Sequence, residues 1–322
     1  MSEKLRPGFA AFGPAVEPLV REHYERFPYP PRDPTDEATR LVRVWLGDLF
    51  KITPMLAALG NQAAAARTQR HSVGAPFRSL RVLDAGCGTG DGAIAFAWQG
   101  AQVTALDIAV SSLTICAKRA ALRGVEVGIV RGSILDLPTL DLMGPFDYIY
   151  CVGALHHLAD PLAGLRALAG VLAPGGMIGL MVYAEGGRYP VYQIQQALRA
   201  LGYTEPAQVE DVLTALTAEH WWRLGRGRQT FSTEFEMGDA GVADLFLHPC
   251  DHAFTIPTLA ELVKDAGLAI SGFEPEEQYW PWLPPLWKTK TLGIIEQAAL
   301  AEALDGRMLQ HRVYLWRPPE KA

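Results

Sequence analysis

The chain has 322 residues, 49% hydrophobic and 20% charged, with a formal net charge of −6. This predicts a soluble globular protein with a sizeable core, built as one large domain with insertions or as two small ones, and the acidic balance argues against a non-specific nucleic-acid binder. Cys87, Cys116, Cys151 and Cys250 are widely spaced with no C-x-x-C pair, MSEKLRPGFAAFGP is too polar for a signal peptide, and no stretch has the apolar length of a membrane helix, so a cytoplasmic protein with reduced thiols is expected.

Residues 1–79 read as a helical arm. One helix is expected from Glu17 to Arg26, stopped by Phe27-Pro28-Tyr29-Pro30-Pro31 because proline cannot continue a helix. A second is expected from Asp36, as N-cap, to Phe50, where Leu41, Val44, Trp45, Leu46 and Leu49 share a face, and a third from Pro54 to Gln69. Strand and helix then alternate, which predicts a parallel sheet.

The first strand, Leu80 to Ala85, runs into Asp84-Ala85-Gly86-Cys87-Gly88-Thr89-Gly90 and a helix from Asp91 to Gln99. Such a strand–loop–helix crevice holds a nucleotide-like ligand in doubly wound folds. Two ligand classes compete for it. Dinucleotides use G-x-G-x-x-G with the pyrophosphate on the helix N-terminus. Here the spacing is G-x-G-x-G, and Asp84 would repel a pyrophosphate while attracting an ammonium group. The stretch resembles the first motif, D-x-G-x-G-x-G, of the class I S-adenosylmethionine-dependent methyltransferases, whose methyl donor carries an ammonium and a sulfonium and no phosphate.

The rest of the core extends the resemblance. Strand two, Gln102 to Leu106, ends at Asp107, about twenty residues beyond the glycine loop, where a carboxylate can accept both ribose hydroxyls; the structural alternative is an N-cap of the helix Ser112 to Arg123. Strand three, Glu126 to Val130, leads to Gly132-Ser133-Ile134-Leu135-Asp136-Leu137-Pro138. In the resembled family an acid in this loop faces the adenine amino group, and here Ser133 stands in its place with a hydroxyl. Strand four, Phe146 to Val152, is followed by Gly153-Ala154-Leu155-His156-His157-Leu158, similar to the family's fourth motif, near the transferable methyl. The resemblance thus assigns Asp84, Gly86, Cys87, Gly88, Gly90, Asp107, Ile108, Ser133, Ile134 and Cys151 to the cofactor site, with Tyr24 and Tyr29 of the arm touching the methionine end or the acceptor. A helix from Pro161 to Leu172, stopped by Pro174-Gly175-Gly176, precedes strand five, Met177 to Tyr183. After the helix Thr258 to Asp265 come strand six, Leu268 to Phe273, and a last strand, His311 to Trp316. The resemblance implies a doubly wound seven-stranded sheet, mostly parallel, with that last strand antiparallel between five and six.

Three segments fall outside the resemblance: the arm, an insertion at 184–254, and another at 275–310. The core is expected at 80–183 and 255–322. The 184–254 insertion is expected to be mostly helical, with helices at Tyr189–Leu201 and Pro206–Leu216, and to form an acceptor lid. Its basic, aromatic run Trp221 to Arg228 reads as a solvated loop with both tryptophans packed inward. His248, Cys250, Asp251 and His252 crowd within five residues around a stiff Pro249, so no metal site is expected. Tyr279 to Trp287 reads as a stiff aromatic connector and a contact for a homodimer, before a helix from Thr289 to Leu304.

The leading functional expectation is in-line methyl transfer to an O, N or C atom of a small molecule. Alternatives are a protein or RNA methyltransferase, or a non-catalytic S-adenosylmethionine-binding regulatory module; an NAD enzyme is disfavoured by Asp84. Where the acceptor must lose a proton, His157, His156 and His248 are the candidate bases.

Overall fold

The computed structural model describes residues 16–35, 44–61, 64, 77, 80–142, 144–280 and 292–319. Strands β1 (Arg81–Ala85), β2 (Gln102–Asp107), β3 (Gly128–Arg131), β4 (Phe146–Val152), β5 (Leu172–Ala184), β6 (Ala253–Phe254), β7 (Ala269–Phe273) and β8 (Gln310–Trp316) form one sheet. Its order is β3-β2-β1-β4-β5-β8-β7, with β6 paired to β5 off that path. β8 runs antiparallel between β5 and β7, and the other pairings are parallel. The expected arrangement is present, with one short strand added. β6 pairs with Tyr183 and Ala184, just past Met181, where β4 stops. No described helix is long and apolar enough to cross a membrane.

Strand alternation splits the core in two. Leu83, Ala85, Ile149 and Cys151 face one side and pack with the helices Pro161–Gly170, Ile256–Asp265 and Ile294–Asp305. Val82, Tyr148 and Tyr150 face the other and pack with Asp91–Trp98 and Val110–Arg123. Leu46, Leu49, Ile52 and Leu56 of the arm join this second layer.

The arm departs from expectation. Its first helix is Val16–Arg26, but the second begins at Leu49, not Asp36, and runs to Ala58 through Pro54. Asp48 is the N-cap, accepting from Phe50 N, and Leu46 has a left-handed φ of 57° that a continuous helix would not allow. The rest of the expected second and third helices, 36–43 and most of 62–69, lies outside the described residues.

The Pro174-Gly175-Gly176 turn also has a different cause. The helix before it ends at Gly170, and β5 already begins at Leu172, paired with Phe146. The ladder resumes at Tyr148 and Met177, so the prolyl-glycyl run is an irregularity within β5. The end of the arm helix sits on it: a Cβ on Gly175 would come within 2.6 Å of Asn61 N. Asn61 in turn donates to Asp147 Oδ1 at 2.9 Å.

The 184–254 insertion is helical as expected, including Glu185–Leu201, Pro206–Ala215 and Gly238–Phe246. These helices bury Val191, Ile194, Leu198, Val209, Trp222, Phe231 and Phe246 in a cluster of their own. Of the two tryptophans expected to pack inward, Trp222 does, against Phe231, while Trp221 is exposed. The adjacent basic groups serve the insertion itself: Arg228 pairs with Glu210, and Arg223 donates to Thr214 O. The helix expected from Thr289 runs Ile294–Asp305. Tyr279 is buried, Trp280 is exposed, and the rest of the aromatic connector, 281–287, lies outside the described residues.

Tyr148 ties the arm to the sheet by donating to Leu46 O at 2.6 Å, fully buried. Tyr148→Phe should lower unfolding stability by about 1–3 kcal/mol because Leu46 O is left buried without a donor. Chemical denaturation checks this; unchanged stability would mean that the carbonyl finds another donor.

Candidate active site

A cavity of about 380 Å³ lies where the sheet meets the arm and the insertion. Its floor is the turn after β1. Asp84, Gly86, Cys87 and Gly88 line it, with Asp107 and Ile108 from the end of β2 and Ser133 and Ile134 after β3. Tyr24 and Tyr29 close it from the arm. These ten residues line one cavity.

Two expected members do not. Cys151 is fully buried on the opposite face of β4, because alternation gives the cavity its neighbours Tyr150 and Val152 instead. Gly90 stands back from the cavity as the left-handed N-cap of the helix Asp91–Trp98, and a Cβ there would come within 2.4 Å of Cys116 Sγ. Its requirement for glycine comes from helix packing.

The carboxyls differ in how fully the chain satisfies them. Asp107 Oδ2 accepts from Gly88 N at 2.8 Å and Oδ1 from Ala109 N at 2.9 Å. These bonds brace the glycine loop and the turn after β2 rather than cap the next helix, Val110–Arg123, whose first N–H groups, Val110 N at 2.8 Å and Ser111 N at 2.9 Å, are taken by the Glu25 carboxylate of the arm; the Asp107 carboxylate keeps acceptor capacity for a ligand. Burial raises its pKa despite these donors. Asp84 is buried with Oδ2 unpartnered, and burial pushes its pKa up to about 8. Ser133 Oγ accepts from Leu135 N at 3.2 Å while Asp136 accepts from Ser133 N, a capping box that explains Asp136 without a ligand.

The arm segment after Arg26 is strapped to the glycine loop. Thr89 N donates to Tyr29 O at 3.3 Å, and Thr89 Oγ1 donates to Pro30 O at 2.7 Å. A Cβ on Gly88 would lie 2.2 Å from Tyr29 O, so close approach of the strap requires glycine here, at a φ of 51°. Arg32 then reaches Asp91 at 2.6 Å, and Arg119 meets the same carboxylate at 2.8 Å. Burial works against the charge of Asp91, but the two guanidinium groups outweigh it and lower its pKa.

The histidines form a buried stack. His157 and His248 have ring centroids 3.7 Å apart, His156 and His157 4.2 Å, and His23 of the arm lies 4.8 Å from His248. Only His157 of these borders the cavity; His156 and His248 are packed behind it. Burial lowers all four pKa values, to about 3 for His157 and about 4 for His23. The rings are neutral at ordinary pH. His157 Nδ1 donates to Cys250 O at 2.8 Å, which leaves Nε2 as an acceptor.

Sequence reasoning missed Asp244 and Glu234 of the insertion, Tyr183 and Met181 of β5, Arg32 and Gln310, all lining the cavity. Asp244 accepts from Tyr24 OH at 3.1 Å and from Tyr183 OH at 3.3 Å. Burial raises its pKa to about 7. Its signal was an acid at the head of a polar run in an insertion too long for a plain connection; only folding shows that it faces the glycine loop.

The fold and this cavity define a nucleotide-type α/β enzyme whose ligand pocket carries acids. A family profile for the methyltransferase domain matches residues 82–176. An uncharacterised protein of Synechococcus sp. is 31% identical over 97% of this chain and 74% of its own length. A ubiquinone biosynthesis O-methyltransferase of Caulobacter sp. is 35% identical over 40% of the chain and 52% of its own length. PKMT2 of Rickettsia typhi, solved with AdoHcy, superimposes with a TM-score of 0.61 at 17% identity, over 74% of this chain and 48% of that one. The chain thus spans about half the length of the last two. It belongs to the class I S-adenosylmethionine-dependent methyltransferases. It is an enzyme of that type.

The histidine stack makes one prediction. A histidine with a lowered folded pKa contributes its full stability above the unfolded value near 6.5 and loses it as pH falls toward the folded value. His156 has both ring nitrogens buried without hydrogen-bond partners, so His156→Leu removes a proton-binding site of the unfolded state and its ring contacts with His157 and Tyr183, and breaks no side-chain hydrogen bond. Its stability relative to wild type should grow by up to ~1.4 kcal/mol per pH unit below pH ~6.5. Urea denaturation at two pH values reads this, and parallel curves would contradict it.

Proposed function

We propose that this methyltransferase acts on oxygen or nitrogen of a small molecule held at the insertion end of the cavity. The observation that carries the reading is the shape of the site: one cavity of about 380 Å³ runs from the glycine loop to Glu234 and Asp244, with Tyr24, Tyr29 and Arg32 of the arm lining it. The O-methyltransferase relatives support it for the part of their length that matches.

The residues fit the cofactor. The unpartnered Asp84 Oδ2 suits a cationic amino group, the open lone pairs of Asp107 suit ribose hydroxyls, and the Ser133 hydroxyl with Ile108 and Ile134 suits a flat base. When bound, S-adenosylmethionine supplies a methyl on a sulfonium whose sulfur keeps the bond pair on leaving. What remains for the protein is alignment and exclusion of water. Tyr24, Tyr29 and the strap on Thr89 exclude water from above. His157 offers Nε2 as a hydrogen-bond acceptor, but burial makes it a weak base, and His156 and His248 act through its position. The arm segment 16–35 and the 184–254 insertion serve in this reading as the lid over the acceptor.

Three outcomes follow. With methyl-labelled S-adenosylmethionine and a cell extract, label should appear in the small-molecule fraction; label confined to protein or RNA would overturn the reading. Asp107→Ala should weaken S-adenosylhomocysteine binding by about 1–3 kcal/mol in calorimetry, and unchanged affinity would remove Asp107 from the site. Asp84 must ionise to pair with an amino group, and its pKa starts at about 8. Affinity should therefore fall by up to about tenfold per unit as pH drops below that value, with proton release on binding. Asp84→Asn should bind more weakly at high pH and lose this dependence; a dependence that persists in the variant belongs to another group.

A further inference from the structure

We propose that the acceptor is a hydrogen-bond donor, an amine or a phenol-like hydroxyl, bound through Asp244, and that Asp244 takes its proton during methyl transfer. This deepens the small-molecule reading above and rests on it.

Three observations converge. The first is geometry. Asp244 lines the cavity yet is only 3% exposed, and it is reached from two other elements, by Tyr24 OH of the arm and Tyr183 OH of β5. Two donors leave each carboxylate oxygen a lone pair. The carboxyl is thus held in place with acceptor capacity to spare, and both tyrosines are kept as phenols by burial and by Asp244 itself.

The second is charge balance. The groups facing Asp244 are Tyr24, Tyr183, Tyr29, Arg188 and Asp251. Arg188 is buried, lies 3.6 Å from the equally buried Asp251, and covers the Tyr183 ring at 3.4 Å. One buried cation therefore serves two buried acids. The second acid is left to be neutral or to meet a ligand that donates to it. Glu234 adds another acid to the cavity wall.

The third is what lies opposite. The arginine that lines the cavity, Arg32, is already joined to Asp91, and His157 is neutral. An acceptor bearing a carboxylate or phosphate meets acids and phenols here without a free cation among the described lining residues, whereas an amine or hydroxyl meets acceptors.

The proton balance is simple. The N–H or O–H bond of the acceptor breaks, its electron pair stays on the heteroatom for the new bond to carbon, and the proton goes to Asp244 Oδ. The carboxylate becomes a carboxylic acid, which the buried site tolerates well. Burial and the neighbouring Asp251 make Asp244 a stronger base than an exposed aspartate, while Arg188 and the two tyrosine donors hold its pKa back toward the neutral range.

The test uses the S-adenosylhomocysteine complex of the full chain and three ring probes: catechol, benzylamine and benzoate. Calorimetry should show catechol and benzylamine binding at least about tenfold tighter than benzoate, about 1.4 kcal/mol. Asp244→Asn should erase most of that preference and leave S-adenosylhomocysteine affinity unchanged. Benzoate binding as tightly as benzylamine, a preference that survives in Asp244→Asn, or no binding of any probe overturns the proposal. If Asp244→Asn does not fold, Tyr183→Phe serves. Loss of one donor to the carboxylate raises the pKa of Asp244, so the pH midpoint above which benzylamine binds should move up from about 7; an unmoved midpoint also overturns it. Methyl label found only on macromolecules, with the probe preference intact, would sink the small-molecule reading and leave the subsite standing.

Discussion

At the end of β1 a carboxyl oxygen of Asp84 is held out of water with no hydrogen-bond partner among the described residues. Burying a carboxyl with a single backbone donor, Ala93, is costly, and the cost appears as a pKa raised to about 8. Most of the site follows from that constraint. The glycines after it bring backbone close to the cavity, Asp107 secures the loop through Gly88 N, and the strap of the arm lies directly on Thr89. A pocket that opens on such an acid selects against phosphate and for a cation, and the family to which the chain belongs uses a cationic cofactor.

The same logic recurs at the far end. Asp244 is also buried and also raised, but its two tyrosine donors come from the arm and from β5. The acid is therefore assembled only when arm, sheet and insertion are all in place. The arm accordingly contributes both core residues, through Leu46 to Leu56, and cavity-lining residues, through Tyr24 to Arg32. The histidine stack behind it fills space with neutral rings that join His23 of the arm, His157 after β4 and His248 of the insertion. It joins arm, sheet and insertion behind the cavity, and burial of the rings opposes their protonation.

Local chemistry made the core legible. Alternation, the acid before three glycines and Asp107 at the next strand end depend on spacing within a few residues, and they pick out residues that meet at the glycine-loop end of the cavity. Where reading failed, distant contacts had decided. Leu46, in a left-handed conformation with its carbonyl on Tyr148, interrupts the continuous helix that periodicity alone predicts through Phe50. Gly90 looked like a ligand glycine, but Cys116 is what crowds it. Cys151 was one residue out of phase with the cavity face. Asp244 was invisible because its partners lie 220 and 61 residues away in the chain. The histidines drew attention by their usual titration range, and burial removes them from it.

The most direct measurement is a crystal structure of the chain with S-adenosylhomocysteine bound. The account predicts the amino group at Asp84, the ribose at Asp107, and the sulfur turned toward the space bounded by Tyr24, Tyr183 and Asp244. A ligand seated elsewhere, or one whose sulfur faces away from Asp244, would contradict it.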